Sequence, residues 1–214
     1  MKIIGCTQGS TAWSQARCGV VTASEVDSLI TPLWKVRTGE GVESYMFRKL
    51  AEKSLGYALD TGSTFDMDMG QMAEKLALPW FNFMYDTEAR RVGFCVSDCG
   101  RYGCSPDALI GDDSGLEIKF PTAPIHLRYL LANELPAEYA PQVHFSMFVT
   151  GRPSWNFLSF SRQFPSLVVH VERDEKIQSA IKSAVEAFYE KFDARMEQIN
   201  ALRQAENEQH ERRA

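Results

Sequence analysis

The stretch of residues 102–119 constrains the fold more than any other part of the chain, because its pattern predicts a β-hairpin. Its sequence is YGCSPDALIGDDSGLEIK, in which two short apolar runs flank the turn-forming residues 111–115. Apolar runs on either side of a Gly/Asp/Ser cluster are typical of a hairpin. Side chains alternate between the two faces of a strand, so the hairpin assigns each charged residue to one face of a sheet.

Three charged residues of this hairpin are expected to share a face. Glu117 and Lys119 are two residues apart, and Asp107, just before the first strand, can lie across from them. Two carboxylates and an ammonium are costly to bury without a partner, and a divalent cation such as Mg²⁺ is a natural one. The lysine would then steady an attacking water or a developing negative charge. A surface hairpin with solvated acids explains the same pattern, so this stretch alone leaves both interpretations open.

Composition narrows the class of protein. The 214 residues are 44% hydrophobic and 24% charged, which is typical of one globular domain with a substantial core. No apolar run approaches the ~20 residues that span a bilayer, and the N-terminus lacks the pattern of a secretory signal. Five cysteines without a regular framework favour a reducing cytoplasm. The net charge of −5 argues against a protein that coats nucleic acid, but a local basic channel still permits a nuclease.

An anion site is predicted near the start of the chain. Thr22 and Glu25 have the spacing of a capping box and precede an apolar helical stripe. Arg17 and Ser24 lie on either side of this predicted helix start, where unpaired backbone N–H groups favour a negative group such as phosphate. A surface arginine and an ordinary helix-start serine explain the same residues.

The remaining pattern predicts an α/β order of elements. We expect helices over residues 44–55, 67–83, 125–131 and 139–149, a loop over 31–43, and strands over 90–96, 155–160 and 167–171. Asp174 is expected to cap a long C-terminal helix. These elements predict a single domain over residues 1–203, with a polar, flexible tail over residues 204–214.

Three polar residues stand out on the predicted helices. Glu74 lies close to the apolar face of the helix over 67–83, where it either pairs with a base such as Lys75, faces water, or supplies a third carboxylate to a metal site. Gln142 and Ser146 are four residues apart and therefore share a helix face.

Six motifs follow one another in order along the chain. They are Trp13-(x)3-Arg17-x-Gly19-Val20-Val21-Thr22-Ala23-Ser24-Glu25-Val26, Gly70-(x)3-Glu74, Cys104-Ser105-Pro106-Asp107, Gly115-Leu116-Glu117-Ile118-Lys119-x-Pro121, Gln142-Val143-(x)2-Ser146-Met147-x-Val149-Thr150 and Glu172-Arg173-Asp174-Glu175-Lys176. Together they resemble the lambda exonuclease family, the phage-type alkaline exonucleases or YqaJ-type viral recombinases of the PD-(D/E)xK nuclease superfamily. The resemblance implies a restriction-endonuclease-like core, with a central mixed β-sheet flanked by helices and a long C-terminal helix.

The resemblance also implies an activity. Such an enzyme is a Mg²⁺-dependent exonuclease that digests duplex DNA ends from 5′ to 3′, releases 5′-mononucleotides and leaves a 3′ overhang for recombination by strand annealing. Two Mg²⁺ ions are implied, and Mn²⁺ can substitute for them. A homotrimeric ring, a single-strand annealing protein as partner, and action in the cytoplasm of a bacterial host as a phage- or prophage-encoded enzyme are further implications.

The same resemblance assigns roles to individual residues. The catalytic set would be Glu74, Asp107, Glu117 and Lys119, with the Ile118 carbonyl as an additional metal ligand. The set that grips the 5′-terminal phosphate would be Arg17, Ser24, Ser105 and Gln142. Met67 falls near the position of an apolar wedge that separates the terminal base pair, although a methionine at a helix start more often packs in the core.

Two other classes remain as alternatives. One is another PD-(D/E)xK enzyme, either an endonuclease or an iron–sulfur nuclease, and the other is a non-catalytic DNA-end-binding recombination protein. All five cysteines precede the strands of the hairpin, and they contain no C-x-x-C pair, which argues against a cluster or zinc site. The acidic and basic residues of the catalytic pattern are all present, which argues against a non-catalytic protein.

Overall fold

Helices and strands are interspersed along the chain in the computed structural model. The structure describes the backbone of residues 1–59 and 65–211 and the side chains of residues 1–59 and 75–211. The strands are β1 (Lys2–Ile4), β2 (Val21–Thr22), β3 (Phe94–Val96), β4 (Tyr102–Cys104), β5 (Ala108–Ile110), β6 (Ser114–Lys119), β7 (Ser154–Ser159) and β8 (Leu167–Glu172). The helices are α1 (Thr11–Arg17), α2 (Glu40–Leu55), α3 (Phe65–Tyr85), α4 (Ala123–Ala132), α5 (Ala140–Thr150) and α6 (Glu175–Glu211), with a 3₁₀ helix over Ala23–Ser28. The predicted α/β class with a long C-terminal helix is confirmed.

Within the described backbone the strands form two mixed four-stranded sheets, ordered β1-β3-β4-β2 and β5-β6-β7-β8. Strand β2 pairs in parallel with β4, and β6 pairs in parallel with β7, while the other pairs are antiparallel. An isolated bridge between Arg90 and Leu109 connects β5 to the segment before β3. The chain passes directly from the first sheet to the second between Cys104 and Ala108, so the residues in between lie where the sheets meet.

Helix α5 holds the two sheets together. It contacts β3 and β4 of the first sheet, β7 of the second, and also α6 and the 3₁₀ helix. Its side chains Val143, Phe145 and Met147 are fully buried. Because α5 is apolar on most of its circumference, it belongs to the core, and its few polar side chains are held in fixed positions.

The hairpin β5–β6 is confirmed, and a close contact fixes its place in the second sheet. Gly115 lies over the fully buried ring of Trp155, and a Cβ atom added to Gly115 would be 2.4 Å from that ring. Only glycine permits this approach of strand β6 to the indole. On the far side of the turn, Arg152 Nη1 donates to the carbonyls of Gly111 and Ser114 at 2.8 Å each.

Several local predictions need correction. Helix α2 begins at Glu40, so residues 40–43 are helical although they were predicted as loop. Thr22 ends strand β2 and stands before a 3₁₀ helix, but it makes no capping bond; its hydroxyl donates to Glu25 Oε2 at 2.8 Å instead. The predicted capping box is therefore wrong, because the Thr22 hydroxyl donates its hydrogen bond to the Glu25 carboxylate and accepts none from the helix N–H groups. Strand β1 and helix α1 lacked a clear apolar period and were not predicted.

The helices at the end of the chain and before β3 follow the predicted pattern. Asp174 Oδ1 accepts from the backbone N–H groups of Lys176 and Ile177, which confirms the predicted cap. Helix α6 continues to Glu211, so residues 204–211 are exposed helix, and the division into a domain and a flexible tail stays a prediction. Helix α3 contains Pro79 within its length. No described helix is long and apolar enough to cross a membrane.

Candidate active site

Asp107 and Glu117 both line one cleft at the open end of the hairpin. The last ladder pair is Ala108 with Leu116, and just beyond it the Asp107 N–H donates to the Leu116 carbonyl at 3.2 Å. Both carboxylates act electrostatically on Lys119, so they lie close to each other. Asp107 Oδ2 also accepts from the Ile118 N–H at 2.5 Å, which fixes its orientation.

Glu117 is buried, and one of its two carboxylate oxygens is paired with two donors. Its side chain is 4% exposed, and its Oε1 atom accepts from Lys119 Nζ at 2.6 Å and from Gln142 Nε2 at 2.6 Å. A buried carboxylate is tolerated only when its charge and lone pairs find partners, and these two donors supply them. Glu117 and Lys119 share one face of β6, as the alternation along the strand predicted, and Asp107 lies beside them in the same cleft.

The charge state of Lys119 is set by the two carboxylates near it. Burial alone would lower the pKa of Lys119, but the charges of Glu117 and Asp107 outweigh it and raise that pKa well above the ordinary lysine value. Its ammonium also lies 5.0 Å from the centre of the Tyr139 ring, a favourable cation–π distance. Lys119 is therefore a permanent cation, and about a quarter of its side chain remains exposed.

These residues line a cleft of about 1250 Å³. One wall consists of the loop before α1, and the other of the segment after β6 together with Tyr129 and Tyr139. Lys75, the first described side chain of α3, and Arg91 also line it. The cleft is open to solvent, holds both carboxylates and is bordered by cations, an arrangement suited to an anionic polymer and a divalent ion.

A second cluster includes Ser105, two residues before Asp107 in the chain. Arg17 Nη1 donates to Ser105 Oγ at 3.2 Å, and Arg17 Nη2 donates to Ser24 Oγ at 3.0 Å. Burial lowers the pKa of Arg17, while the charge of Glu25 opposes that shift. A half-buried guanidinium surrounded by hydroxyl groups has the chemistry of an anion receptor, and an anion site at Arg17, Ser24 and Ser105 stays a prediction.

Trp13 belongs to this cluster although the sequence did not single it out as a site residue. Its indole N–H donates to Ser105 Oγ at 2.8 Å, and the Arg17 guanidinium lies 4.2 Å from the centre of its ring. Trp13 and Arg17 are four residues apart on α1, the spacing that places side chains on one helix face. That spacing was the available signal, but α1 was not predicted as a helix.

The side chain of Gln142 lies beside the carboxylate of Glu117. Its amide contacts Glu117, and Ser146 Oγ, one turn later on α5, donates to the Gln142 carbonyl. The structure therefore gives Gln142 a contact that the family resemblance did not, and a role in gripping phosphate stays a prediction.

The predictions for Glu74 and Met67 fall outside the described side chains. Within the described side chains no group of three or more His, Cys, Asp or Glu residues is arranged to hold a metal ion. Asp107 and Glu117 are two carboxylates on one face, and Glu74 as a third ligand stays a prediction.

Comparisons with known proteins agree with this geometry. The model of the YqaJ-like viral recombinase domain matches residues 12–153. The structure of the alkaline exonuclease LHK-Exo from Laribacter hongkongensis matches with a TM-score of 0.80 and 26% identity, over 92% of this chain and 99% of that one. LHK-Exo in complex with dAMP gives the same values. A phage-related exonuclease from Haemophilus somnus 129PT shares the fold, with a TM-score of 0.61 and 14% identity over 84% of this chain and 96% of that one. No curated protein matches.

Proposed function

This chain belongs to the YqaJ-like viral recombinase family, and we propose that it is a Mg²⁺-dependent exonuclease that digests duplex DNA ends from 5′ to 3′. It releases 5′-mononucleotides and leaves a 3′ overhang. The family and the similarity to an alkaline exonuclease support a nuclease function. The binding of dAMP, a nucleoside monophosphate, by LHK-Exo supports mononucleotides as the product.

The observation that carries the proposal is the adjacency of two chemically different clusters. Asp107, Glu117 and Lys119 form a carboxylate–ammonium face, and Ser105, two residues before Asp107, belongs to the Arg17 cluster. One segment of two residues thus connects a site suited to cutting a phosphodiester with a site suited to holding a terminal phosphate. This arrangement supports an enzyme that binds the terminal phosphate of a DNA strand and cuts the phosphodiester next to it.

The donor set fits a hard divalent cation. Asp107 and Glu117 offer carboxylate oxygens to one cleft, and Ile118, whose carbonyl would be a further ligand, lines the same cleft. Oxygen ligands of this kind suit Mg²⁺ and Mn²⁺. Glu74 would complete a second position. When bound, two such ions activate water and screen the charge on the attacking and leaving oxygens.

The chain's own residues would do the remaining work. Lys119, held as a cation by Glu117 and Asp107, would orient the attacking water and donate an N–H to the oxygen on which negative charge develops. Gln142 would hold Glu117 in one orientation while Lys119 turns toward the substrate. The ring face of Tyr139 stabilises the Lys119 ammonium through a cation–π contact.

The Arg17 cluster would determine the 5′-to-3′ direction of digestion, because it would recognise the 5′ end. A 5′-terminal phosphate carries more negative charge than an internal phosphodiester, and the Arg17 guanidinium with Ser24 and Ser105 offers several donors to it. Met67 would act as the wedge that separates the terminal base pair.

The proposal extends to the biological setting. A homotrimeric ring around the duplex, a single-strand annealing protein on the exposed 3′ strand, and action in the cytoplasm of a bacterial host as a phage- or prophage-encoded enzyme follow from the family resemblance. These assignments give the 3′ overhang its use in homologous recombination.

One assay tests the proposed function. Linear duplex DNA labelled at the 5′ end of one strand or at the 3′ end of the same strand is incubated with Mg²⁺ and followed over time. We expect a labelled mononucleotide from the 5′ label immediately, progressive shortening of the 3′-labelled strand, and no cleavage of covalently closed circular duplex. Release from the 3′ label first, or nicking of the closed circle, would overturn the proposal in favour of another polarity or an endonuclease.

A further inference from the structure

Glu25 is connected to the Arg17 cluster through Thr22, and it is held by two cations from helix α2. Arg48 Nη2 contacts Glu25 Oε1 at 2.7 Å, and Lys49 Nζ contacts Glu25 Oε2 at 3.0 Å. Tyr45 adds a hydroxyl contact at 3.4 Å. Burial would raise the pKa of Glu25, but Lys49 outweighs it and lowers that pKa below the ordinary value, so Glu25 is ionised at neutral pH.

Arg17 reaches Glu25 only through a hydroxyl group. Thr22 Oγ1 accepts from Arg17 Nη2 at 3.4 Å and donates to Glu25 Oε2 at 2.8 Å. Among the described residues, the hydrogen-bond partners of Arg17 are the hydroxyls of Thr22, Ser24 and Ser105. Arg17 is therefore a half-buried cation whose nearby carboxylate is already paired with other cations.

The charges of this region do not balance. Arg17, Arg48 and Lys49 are positive, whereas Glu25 and Glu52 are negative, which leaves an excess positive charge. Lys49 is 3% exposed and contacts both carboxylates, since its Nζ also lies 3.1 Å from Glu52 Oε2. An excess charge in a partly buried cluster is costly unless a ligand of opposite sign completes it.

The network also fixes the backbone that carries Arg17. Glu52 Oε2 accepts from the Gly19 N–H at 2.9 Å, and Cys18 Sγ contacts the Glu52 carbonyl at 3.1 Å. Helix α2 thereby holds the segment between α1 and β2. The same helix that holds this backbone also supplies the cations that occupy Glu25.

We propose that Arg48 and Lys49 are positioning residues that occupy Glu25, so that this carboxylate does not pair with Arg17 and the guanidinium remains available to the 5′-terminal phosphate. The inference rests on the proposed function, because it needs an end-recognising nuclease. It assigns the preference for phosphorylated ends to residues that do not touch the phosphate.

Arg48 is the residue to test, because its side chain is 29% exposed, whereas removal of Lys49 would leave Glu52 buried without its cation. The readout is the ratio of affinities for short duplexes with a 5′-phosphate and with a 5′-hydroxyl, measured in Ca²⁺, together with the same ratio of kcat/KM in Mg²⁺. We expect Arg48→Gln to lower both ratios by about tenfold, since one charged contact is worth roughly that much. Arg48→Lys, which keeps the charge, should retain most of the preference.

The double variant Arg48→Gln/Glu25→Gln gives the decisive result. If Glu25 captures Arg17 once Arg48 is gone, then neutralising Glu25 restores the preference to near the unmutated ratio. A purely structural role predicts that the double variant is at least as impaired as the single one, and that outcome overturns the inference. Lys53→Gln, an exposed change of the same charge on the same helix, controls for the loss of a cation near DNA and should leave the ratio unchanged.

The two levels of the proposal fail in different ways. A preference for phosphorylated ends that persists in Arg48→Gln removes this inference and leaves the proposed function intact. Equal use of both ends by the unmutated enzyme removes the phosphate pocket and, with it, the inference. Thermal unfolding of each variant confirms that the compared proteins are folded.

Discussion

Gln142 Nε2 donates a hydrogen bond of 2.6 Å to Glu117 Oε1, the same oxygen that Lys119 contacts. This contact joins helix α5, at the centre of the core, to strand β6 of the hairpin. Because α5 packs on both sheets, the orientation of Glu117 is set by the whole fold and not by the hairpin alone. The candidate site is therefore preorganised by a buried helix.

The carboxylates should be essential for hydrolysis and dispensable for folding. We expect Asp107→Asn and Glu117→Gln to lower the rate of digestion of linear duplex by at least about a hundredfold, because each removes a charge that the proposed metal site requires. Asp112→Asn, in the exposed turn of the same hairpin, is the matched control and should digest normally. Normal digestion by purified Asp107→Asn would remove the site assignment.

Arg17 should determine the preference for phosphorylated ends. We expect Arg17→Ala to reduce the rate on 5′-phosphorylated duplex by about tenfold or more while changing the rate on 5′-hydroxyl duplex little, because only the terminal phosphate uses its donors. Rates on the two duplexes, measured under single-turnover conditions, check this. An equal loss on both would indicate that Arg17 supports the fold or general DNA binding instead.

Gln142 should behave differently from Arg17. Its contact with Glu117 predicts that Gln142→Ala lowers the rate on both kinds of end by about tenfold, since residues that orient a metal ligand commonly contribute 10–100-fold. The same single-turnover comparison measures the effect. A selective loss on phosphorylated ends would show that Gln142 serves the phosphate, as the family resemblance implies.

A substitution at Gly115 should affect both the stability of the protein and the rate of digestion. A Cβ atom there would lie 2.4 Å from the buried Trp155 ring, so Gly115→Ala should lower the free energy of unfolding by about 1–3 kcal/mol. Strand β6 would have to shift, and Glu117 with it, so the rate of digestion should also fall. Gly41→Ala is the control: a Cβ atom at Gly41 meets nothing within 4 Å, and stability should be unchanged or raised by up to about 1 kcal/mol.

Stability should depend on pH through His144. Burial lowers the pKa of this histidine, whose Nδ1 atom has no hydrogen-bond partner among the described residues and whose ring meets Trp34 edge-on at 5.1 Å. The folded state therefore favours neutral imidazole. Its contribution to stability is present above the unfolded pKa of ~6.5 and is lost as pH falls below that value, at up to about 1.4 kcal/mol per pH unit.

The test compares urea unfolding at about pH 7.5 and pH 5.5, above and below that histidine pKa. His144→Gln should lose less stability between these values than the unmutated protein. His170→Gln, a change at an exposed histidine, should follow the unmutated protein. Identical pH dependence in His144→Gln would contradict the assignment.

Local patterns predicted the parts of the molecule that local interactions specify. The hairpin followed from a turn-forming cluster between two apolar runs, and the shared face of Glu117 and Lys119 followed from strand alternation. The cap at Asp174 followed from a side chain that serves backbone N–H groups two and three residues away. The cap predicted at Thr22 was wrong, because the Thr22 hydroxyl donates to Glu25 and accepts no hydrogen bond from the helix backbone. Glu25 is in turn held by cations of α2, which a local pattern around Thr22 does not reveal.

The sequence by itself determined the chemistry of the molecule: two carboxylates and a lysine on one face of a hairpin, and an arginine beside a serine near the start of the chain. The tertiary structure decided which of these groups meet. Trp13 and Arg17 reach Ser105 from about ninety residues away, and Gln142 meets Glu117 because α5 lies between two sheets. Strand and helix periods specify only the side on which a residue lies, whereas contacts between distant segments depend on how the apolar faces of all the elements are buried together.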